Sequence, residues 1–119
     1  MSHRLFLYGT LKPGHEAWPV VEPFAHDVAP TTVAGRLYDT GAGYPAAVFD
    51  PVGTPITGVA VTLVAELAET AFGVLDRYEG HEYRRTVVAD SHGPLFAYEW
   101  IGPSNRLVEL PSGCWAAPI

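Results

Sequence analysis

Twelve glycines and eleven prolines, about a fifth of the 119 residues, are scattered between short apolar runs instead of pooled in one tract. Proline fixes φ and removes a backbone donor, and glycine interrupts regular elements, so this spacing punctuates many short elements and forms no linker. No domain boundary and no internal repeat interrupts the pattern. At ~100–200 residues per domain, residues 1–119 read as a single domain.

Between the stops, apolar periodicity selects the elements. Residues 4–8, Arg-Leu-Phe-Leu-Tyr, form a short aromatic run closed by Gly9, which favours a buried strand over a helix of so few residues. Pro19, Pro23 and Pro30 exclude a long helix from residues 15–31 and leave an irregular excursion with one turn near residues 18–24. Residues 33–39, 45–49 and 56–64 alternate or run apolar between Gly and Pro stops, the pattern of successive antiparallel strands. Over residues 65–78 the period changes. Leu67, Ala71, Val74, Leu75 and Tyr78 recur at helical spacing with Glu66, Glu69, Asp76 and Arg77 opposite, which predicts one amphipathic helix stopped by Gly80. Residues 83–89 and 95–101, joined by Asp90-Ser91-His92-Gly93, predict a hairpin, and the stretch from Gly102 is expected to wrap the outside. Several strands, one helix and a hairpin, in that order, predict an α+β domain on an antiparallel or mixed sheet able to close into a small barrel.

Composition removes several function classes. A hydrophobic fraction of 48%, a charged fraction of 17% and 3 Trp, 6 Tyr and 5 Phe supply a core and exclude a largely disordered chain. Seven Lys and Arg against 13 Asp and Glu give a net charge of −6, with no basic cluster longer than Arg84-Arg85, so no nucleic-acid partner is expected. The single cysteine, Cys114, allows neither an internal disulfide nor a CxxC pair and indicates a reduced, intracellular protein. No apolar run suits a signal peptide or approaches the ~20 residues of a membrane span, so no membrane partner is expected and the cytoplasm is the expected location. His3, His15, His26, His81 and His92 have no HExxH or paired ligand spacing, and no metal is expected. There is no GxSxG elbow. Cys114, in Pro-Ser-Gly-Cys-Trp, reads as a packed small side chain and not as a nucleophile.

Three segments hold polar groups that the strand pattern does not require. In Tyr8-Gly9-Thr10-Leu11-Lys12-Pro13-Gly14 a strand gives way to a glycine loop whose N–H groups, free of a ladder, can face an anion. An ordinary strand-to-loop turn carries the same glycine. Position 15 is His and not Lys, which removes a phosphate-loop reading. In the segment from Leu75 to Arg85, Glu79 falls at the negative end of the predicted helix. That position raises its proton affinity, as a carboxyl that both takes and gives a proton requires. Against this, Arg77, Arg84 and Arg85 favour the plainer outcome in which Glu79 and Glu82 are their solvated partners. Finally, the glycine-rich turn from Gly35 to Ala46, with Tyr38 and Tyr44, suits a pocket rim and hairpin chemistry equally.

Each signal is common alone, but their order is specific: Tyr-Gly-Thr-Leu closing the first strand, Gly-x-Leu-Tyr-Asp with Tyr-Pro-Ala behind it, then Leu-Asp-x-Tyr-Glu-Gly followed by Tyr-x-Arg. From Leu5 to about Ile101 the chain resembles the gamma-glutamylcyclotransferase-like family, which includes gamma-glutamylamine cyclotransferases and the plant AIG2-like proteins. The resemblance implies a small mixed, mainly antiparallel β-barrel with one main helix. It also implies release of 5-oxoproline by attack of a gamma-glutamyl α-amine on its own γ-carbonyl, with a small-molecule gamma-glutamyl substrate and no cofactor. By position, the family's catalytic glutamate corresponds to Glu79, its substrate-cradling loop to Tyr8, Gly9, Thr10 and Leu11, and its pocket tyrosines to Tyr83 and, as a looser match, Tyr98. Glu82 has no such counterpart. The compact Glu-Gly-His-Glu-Tyr departs from relatives with longer insertions there and leaves the departing amine open. Two other outcomes fit the same resemblance: a non-catalytic or regulatory binding module, and removal of a gamma-glutamyl protecting group in a biosynthetic pathway.

Overall fold

A computed structural model describes residues 3–116. Its strands are β1 (Arg4–Leu7), β2 (Ala25–Asp39), β3 (Pro45–Phe49), β4 (Thr54–Leu63), β5 (Tyr83–Asp90), β6 (Gly93–Trp100) and β7 (Val108–Glu109). Its helices are α1 (Trp18–Val21) and α2 (Ala68–Glu79). The sheet runs β3-β2-β4-β1-β6-β5, with β7 added to β2.

The apolar run at the start of the chain becomes the middle of this sheet. β1 pairs antiparallel with β4, Leu7 opposite Val59, and parallel with β6, Leu5 beside Phe96. Both of its faces are covered, which permits an apolar residue at each position. Leu5 and Leu7 pack with Val61, Leu63 and the helical Ala71 and Leu75, whereas Phe6 and Tyr8 join Leu37, Ile56, Leu95 and Trp115 in the second core. The two-residue period of a strand thus divides the hydrophobic mass between a helix-covered layer and the barrel interior.

The mixed sheet nearly closes into a barrel. Its end strands β3 and β5 share no ladder, and side chains bridge the gap. The Tyr83 hydroxyl donates to the Pro45 carbonyl at 2.6 Å, and the Phe49 N–H donates to the Glu99 carboxylate at 2.9 Å. At the other end Asp90, fully buried at its side chain, accepts from Thr31 at 2.8 Å and from Arg4 at 2.5 Å.

Several elements differ from the sequence expectation. β2 begins at Ala25 and not near residue 33, in spite of Pro30. From Ala25 to Ala34 it pairs only with β4, since β3 joins from Gly35 onward, so the donor that Pro30 lacks is not needed on the second side. The single turn expected near residues 18–24 is α1 followed by a 3-10 turn, Glu22–Phe24. Residues Ala65–Leu67 form a 3-10 turn, and α2 buries Ala68, Ala71 and Leu75, with Phe72 against the same core. Leu67 and Tyr78, expected on the apolar face, are 38% and 46% exposed. The C-terminal stretch does more than wrap the outside: β7 extends the sheet, and Trp115, 5% exposed, enters the barrel core. Its carbonyl accepts from Lys12 Nζ at 3.0 Å. Cys114, expected to be packed, is exposed, because its neighbour Trp115 takes the inward place. No helix among the described residues is long and apolar enough to cross a membrane.

Candidate active site

Where β1 leaves the sheet, the chain turns on itself. The Gly9 carbonyl accepts the Lys12 N–H at 3.1 Å and the Thr10 carbonyl accepts the Ala17 N–H at 3.0 Å. These bonds fix the loop through its carbonyls, and the N–H groups of Gly9, Thr10 and Leu11 find no acceptor among the described residues. Glycine is required at position 9 by close approach, since a Cβ there would lie 2.7 Å from Pro45 Cγ.

Glu79 is the last residue of α2. Gly80, at φ +73, follows in a conformation that L side chains disfavour, and the helix ends there. A cavity of about 480 Å³ opens beside this helix end. Glu79, Tyr8, Gly9, Thr10, Leu11, Tyr83 and Tyr98, the residues singled out from the sequence, all line it. They arrive on the β1 loop, the end of α2, the start of β5 and the middle of β6.

Burial pushes the Glu79 carboxyl up from its ordinary 4.5 to about 7. No hydrogen-bond donor among the described residues reaches it. The arginines that made an ion pair the plainer outcome are engaged elsewhere. Arg84 pairs with Glu99 at 3.7 Å, and Arg85 pairs with Asp76 at 3.7 Å while lying 4.4 Å from the Phe72 ring centroid. Glu79 and Glu82 therefore have no arginine partner among the described residues.

All three predicted tyrosines spend their single proton on the protein. Tyr8 donates to the Tyr98 carbonyl at 2.5 Å, Tyr83 to the Pro45 carbonyl at 2.6 Å, and Tyr98 to the Asp76 carboxylate at 2.6 Å. Burial first, and then neighbouring charge including that of Glu79, pushes each phenol further up, so all three stay protonated. None can donate to a ligand; the oxygens of Tyr83 and Tyr98 can still accept, whereas that of Tyr8 takes a backbone hydrogen bond from Ala47. The cavity thus offers a cation oxygen lone pairs and carboxyl groups, and offers an anion backbone N–H groups and hydroxyls but no cationic side chain, because no Lys, Arg or His lines it.

The cavity also takes in Ala42, Gly43 and Tyr44, so the glycine-rich turn forms part of its wall, and Glu82, which has no counterpart in the family's motif. Burial and the adjacent Glu82 push the Tyr44 phenol up. Glu16 lines the cavity as well, from an irregular segment in which nothing in the local sequence marks it. Among the described residues no three His, Cys, Asp or Glu side chains come together as metal ligands.

A nearly closed mixed barrel with two helices and a carboxyl held at the end of one of them defines a cyclotransferase-type fold. The chain belongs to the gamma-glutamyl cyclotransferase, AIG2-like family, whose model matches residues 5–117. The match extends past the span of the recognised motifs and includes β7 and Trp115. Among solved structures, an AIG2-like protein from Mus musculus is 15% identical with a TM-score of 0.63, covering 98% of this chain and 96% of that one. An uncharacterised protein from Pyrococcus horikoshii is 21% identical, TM-score 0.67, over 95% of this chain and 89% of that one. YkqA from Bacillus subtilis is 22% identical, TM-score 0.73, over 97% of this chain but only 40% of that longer one. At these identities the likeness is one of fold. A comparison with curated protein sequences gave no match.

Proposed function

We propose that the chain is a gamma-glutamyl cyclotransferase that converts a gamma-glutamyl amine or amino acid into 5-oxoproline and a free amine. The observation that carries this reading is the Glu79 carboxyl, poised near pH 7 in the same cavity as the unengaged N–H groups of Gly9, Thr10 and Leu11.

The chemistry asks mainly for positioning, because nucleophile and electrophile belong to one molecule. Glu79 takes a proton from the substrate α-ammonium. The freed amine attacks the γ-carbonyl carbon, forming the ring C–N bond and an oxyanion. As the original amide C–N bond breaks, Glu79 gives its proton to the departing amine and then takes the second proton from the ring nitrogen; that proton passes on to the amine, which leaves as an ammonium, and no water is consumed. A carboxyl that titrates near 7 suits both halves of this transfer, which is typically worth ~10²–10⁴ in rate. The backbone donors hold the substrate carboxylate or the oxyanion, each donor at an oxyanion being typically worth ~10²–10³. Lone pairs on Tyr83 and Tyr98 accept from the ammonium.

The test is a panel of gamma-glutamyl amines and amino acids, incubated with the protein and resolved by mass. The expected product is 5-oxoproline with the free amine. Free glutamate as the main product would reassign the chain to hydrolysis, and saturable binding without turnover across the panel would leave a binding module.

A further inference from the structure

Asp76 belongs to no step of this mechanism, yet it lies one helical turn before Glu79 on α2 and holds the proton of a tyrosine in the cavity wall. One of its carboxylate oxygens accepts from the Tyr98 hydroxyl at 2.6 Å, and the other faces Arg85 at 3.7 Å. Arg85 is itself seated against Phe72 and Phe96, its guanidinium carbon 4.4 and 5.4 Å from the two ring centroids. Tyr98 is 4% exposed, so its ring has no freedom to leave the wall, and only the direction of its hydroxyl proton is open to choice. Asp76 makes that choice, although its own side chain is 47% exposed and needs no partner for solvation.

We propose that Asp76 is a positioning residue: by accepting the Tyr98 proton it keeps that hydroxyl from donating into the cavity, so that Tyr98 presents an oxygen lone pair and no donor to the space beside Glu79. The same pattern recurs at Tyr8 and Tyr83, whose protons go to carbonyls that no side-chain substitution removes. Tyr98 is the position where a side chain sets the direction, and hence where it can be changed. Glu79 also shares its surroundings with Glu82 and Glu16, with Tyr44 and Tyr78, and with the Asp76–Arg85 pair. Of these, Asp76 is the one bound to a tyrosine whose phenol feels the Glu79 charge. A hydroxyl released to donate to Glu79 would favour its charged form. The proposal rests on the reading of Glu79 as the proton carrier, but its test does not need turnover.

The experiment is a carboxyl ¹³C NMR titration of Glu79 in the full chain. It compares Asp76→Ala, which removes the acceptor as well as the charge, with wild type, and Asp76→Ala with its parent in the Tyr98→Phe background. Removing the Asp76 charge lowers the Glu79 midpoint in both backgrounds by electrostatics alone. The released hydroxyl adds a further drop, of about one pH unit or tenfold in proton affinity, only where Tyr98 is present. A background-dependent drop supports the assignment even if no gamma-glutamyl substrate is turned over. Equal drops in both backgrounds, or none in either, would overturn it. In an active preparation the acid limb of the kcat/KM profile is expected to move with the midpoint.

Discussion

The hydroxyl of Tyr83 reaches 2.6 Å to the carbonyl of Pro45, joining β5 to β3 across the one gap that the sheet leaves open. The same residue lies in the cavity wall with its ring 5.2 Å from Trp100, so one side chain contributes both to barrel closure and to cavity shape.

Replacing Tyr83 with Phe keeps the ring contacts and removes the bridge. The expected loss is about 1 kcal/mol of unfolding free energy, the usual net worth of such a bond. A larger fractional change in KM than in kcat is also expected, because the wall loosens while Glu79 stays. Urea unfolding together with steady-state kinetics checks both.

Glu79→Gln is expected to lower turnover by ~10²–10⁴ with the fold intact, since the amide cannot carry a proton. Glu82→Gln is expected to stay within a few fold of wild type. The titration of Glu79 adds a stability signature. Its folded value, about 7, lies above the ordinary 4.5, so the folded chain holds the proton more tightly than the unfolded one. Stability conferred by this group is therefore full below pH 4.5 and declines as pH rises through 7. Glu79→Gln should melt higher than wild type at pH 8, and the difference should vanish at pH 4.

Asp90 has the opposite sign. Burial would raise its carboxyl, but hydrogen bonds from Arg4, Thr31 and the His92 N–H overcome this and hold it at about 2, below its ordinary 3.8. Its contribution is present above pH 4 and is lost as pH falls toward 2. Asp90→Asn is expected to cost about 1–3 kcal/mol at pH 7, and thermal melts at successively lower pH should bring it level with wild type.

At the loop, Gly9→Ala places a methyl against the Pro45 ring, where a Cβ has only 2.7 Å. Overpacking of this kind costs about 1–3 kcal/mol, and turnover should fall with it. Thr10→Ser keeps the backbone donors and should leave kcat/KM within a few fold. A structure with 5-oxoproline or a small carboxylate bound should place the anion at the N–H groups of residues 9–11.

No step of the proposed cyclisation uses a thiol or a Lewis acid. Cys114→Ser and added EDTA are each expected to leave the rate of 5-oxoproline release unchanged. Loss of activity restored by zinc would assign Glu79 to water activation instead.

Local pattern in the sequence determined the elements whose residues answer to one dominant neighbour. The aromatic run at residues 4–8, the helical spacing around Ala71 and Leu75, and the turn before Leu95 each fix a strand, helix or hairpin through periodicity and a Gly or Pro stop. The Leu-Asp-x-Tyr-Glu-Gly order, read as a resemblance, pointed to the family. Tertiary structure decided what no local window contains. Pro30, with Pro19 and Pro23, reads as part of an irregular excursion, yet it lies within β2, where β3 leaves that half of the strand with β4 alone. Trp115 reads as tail until it fills a barrel that residues 6, 37, 56 and 95 have built. The sequence sets Glu79 between a helix end that raises its proton affinity and three arginines that would pair with it. In the structure burial sets its protonation, and Arg84 and Arg85 are drawn off by Glu99 and Asp76. Where a proton sits, and in which direction Tyr8, Tyr83 and Tyr98 donate, depends on groups brought together from strands that are up to 90 residues apart in sequence. Periodicity records which face of an element is apolar, whereas the electric environment of a buried group belongs to everything packed around it.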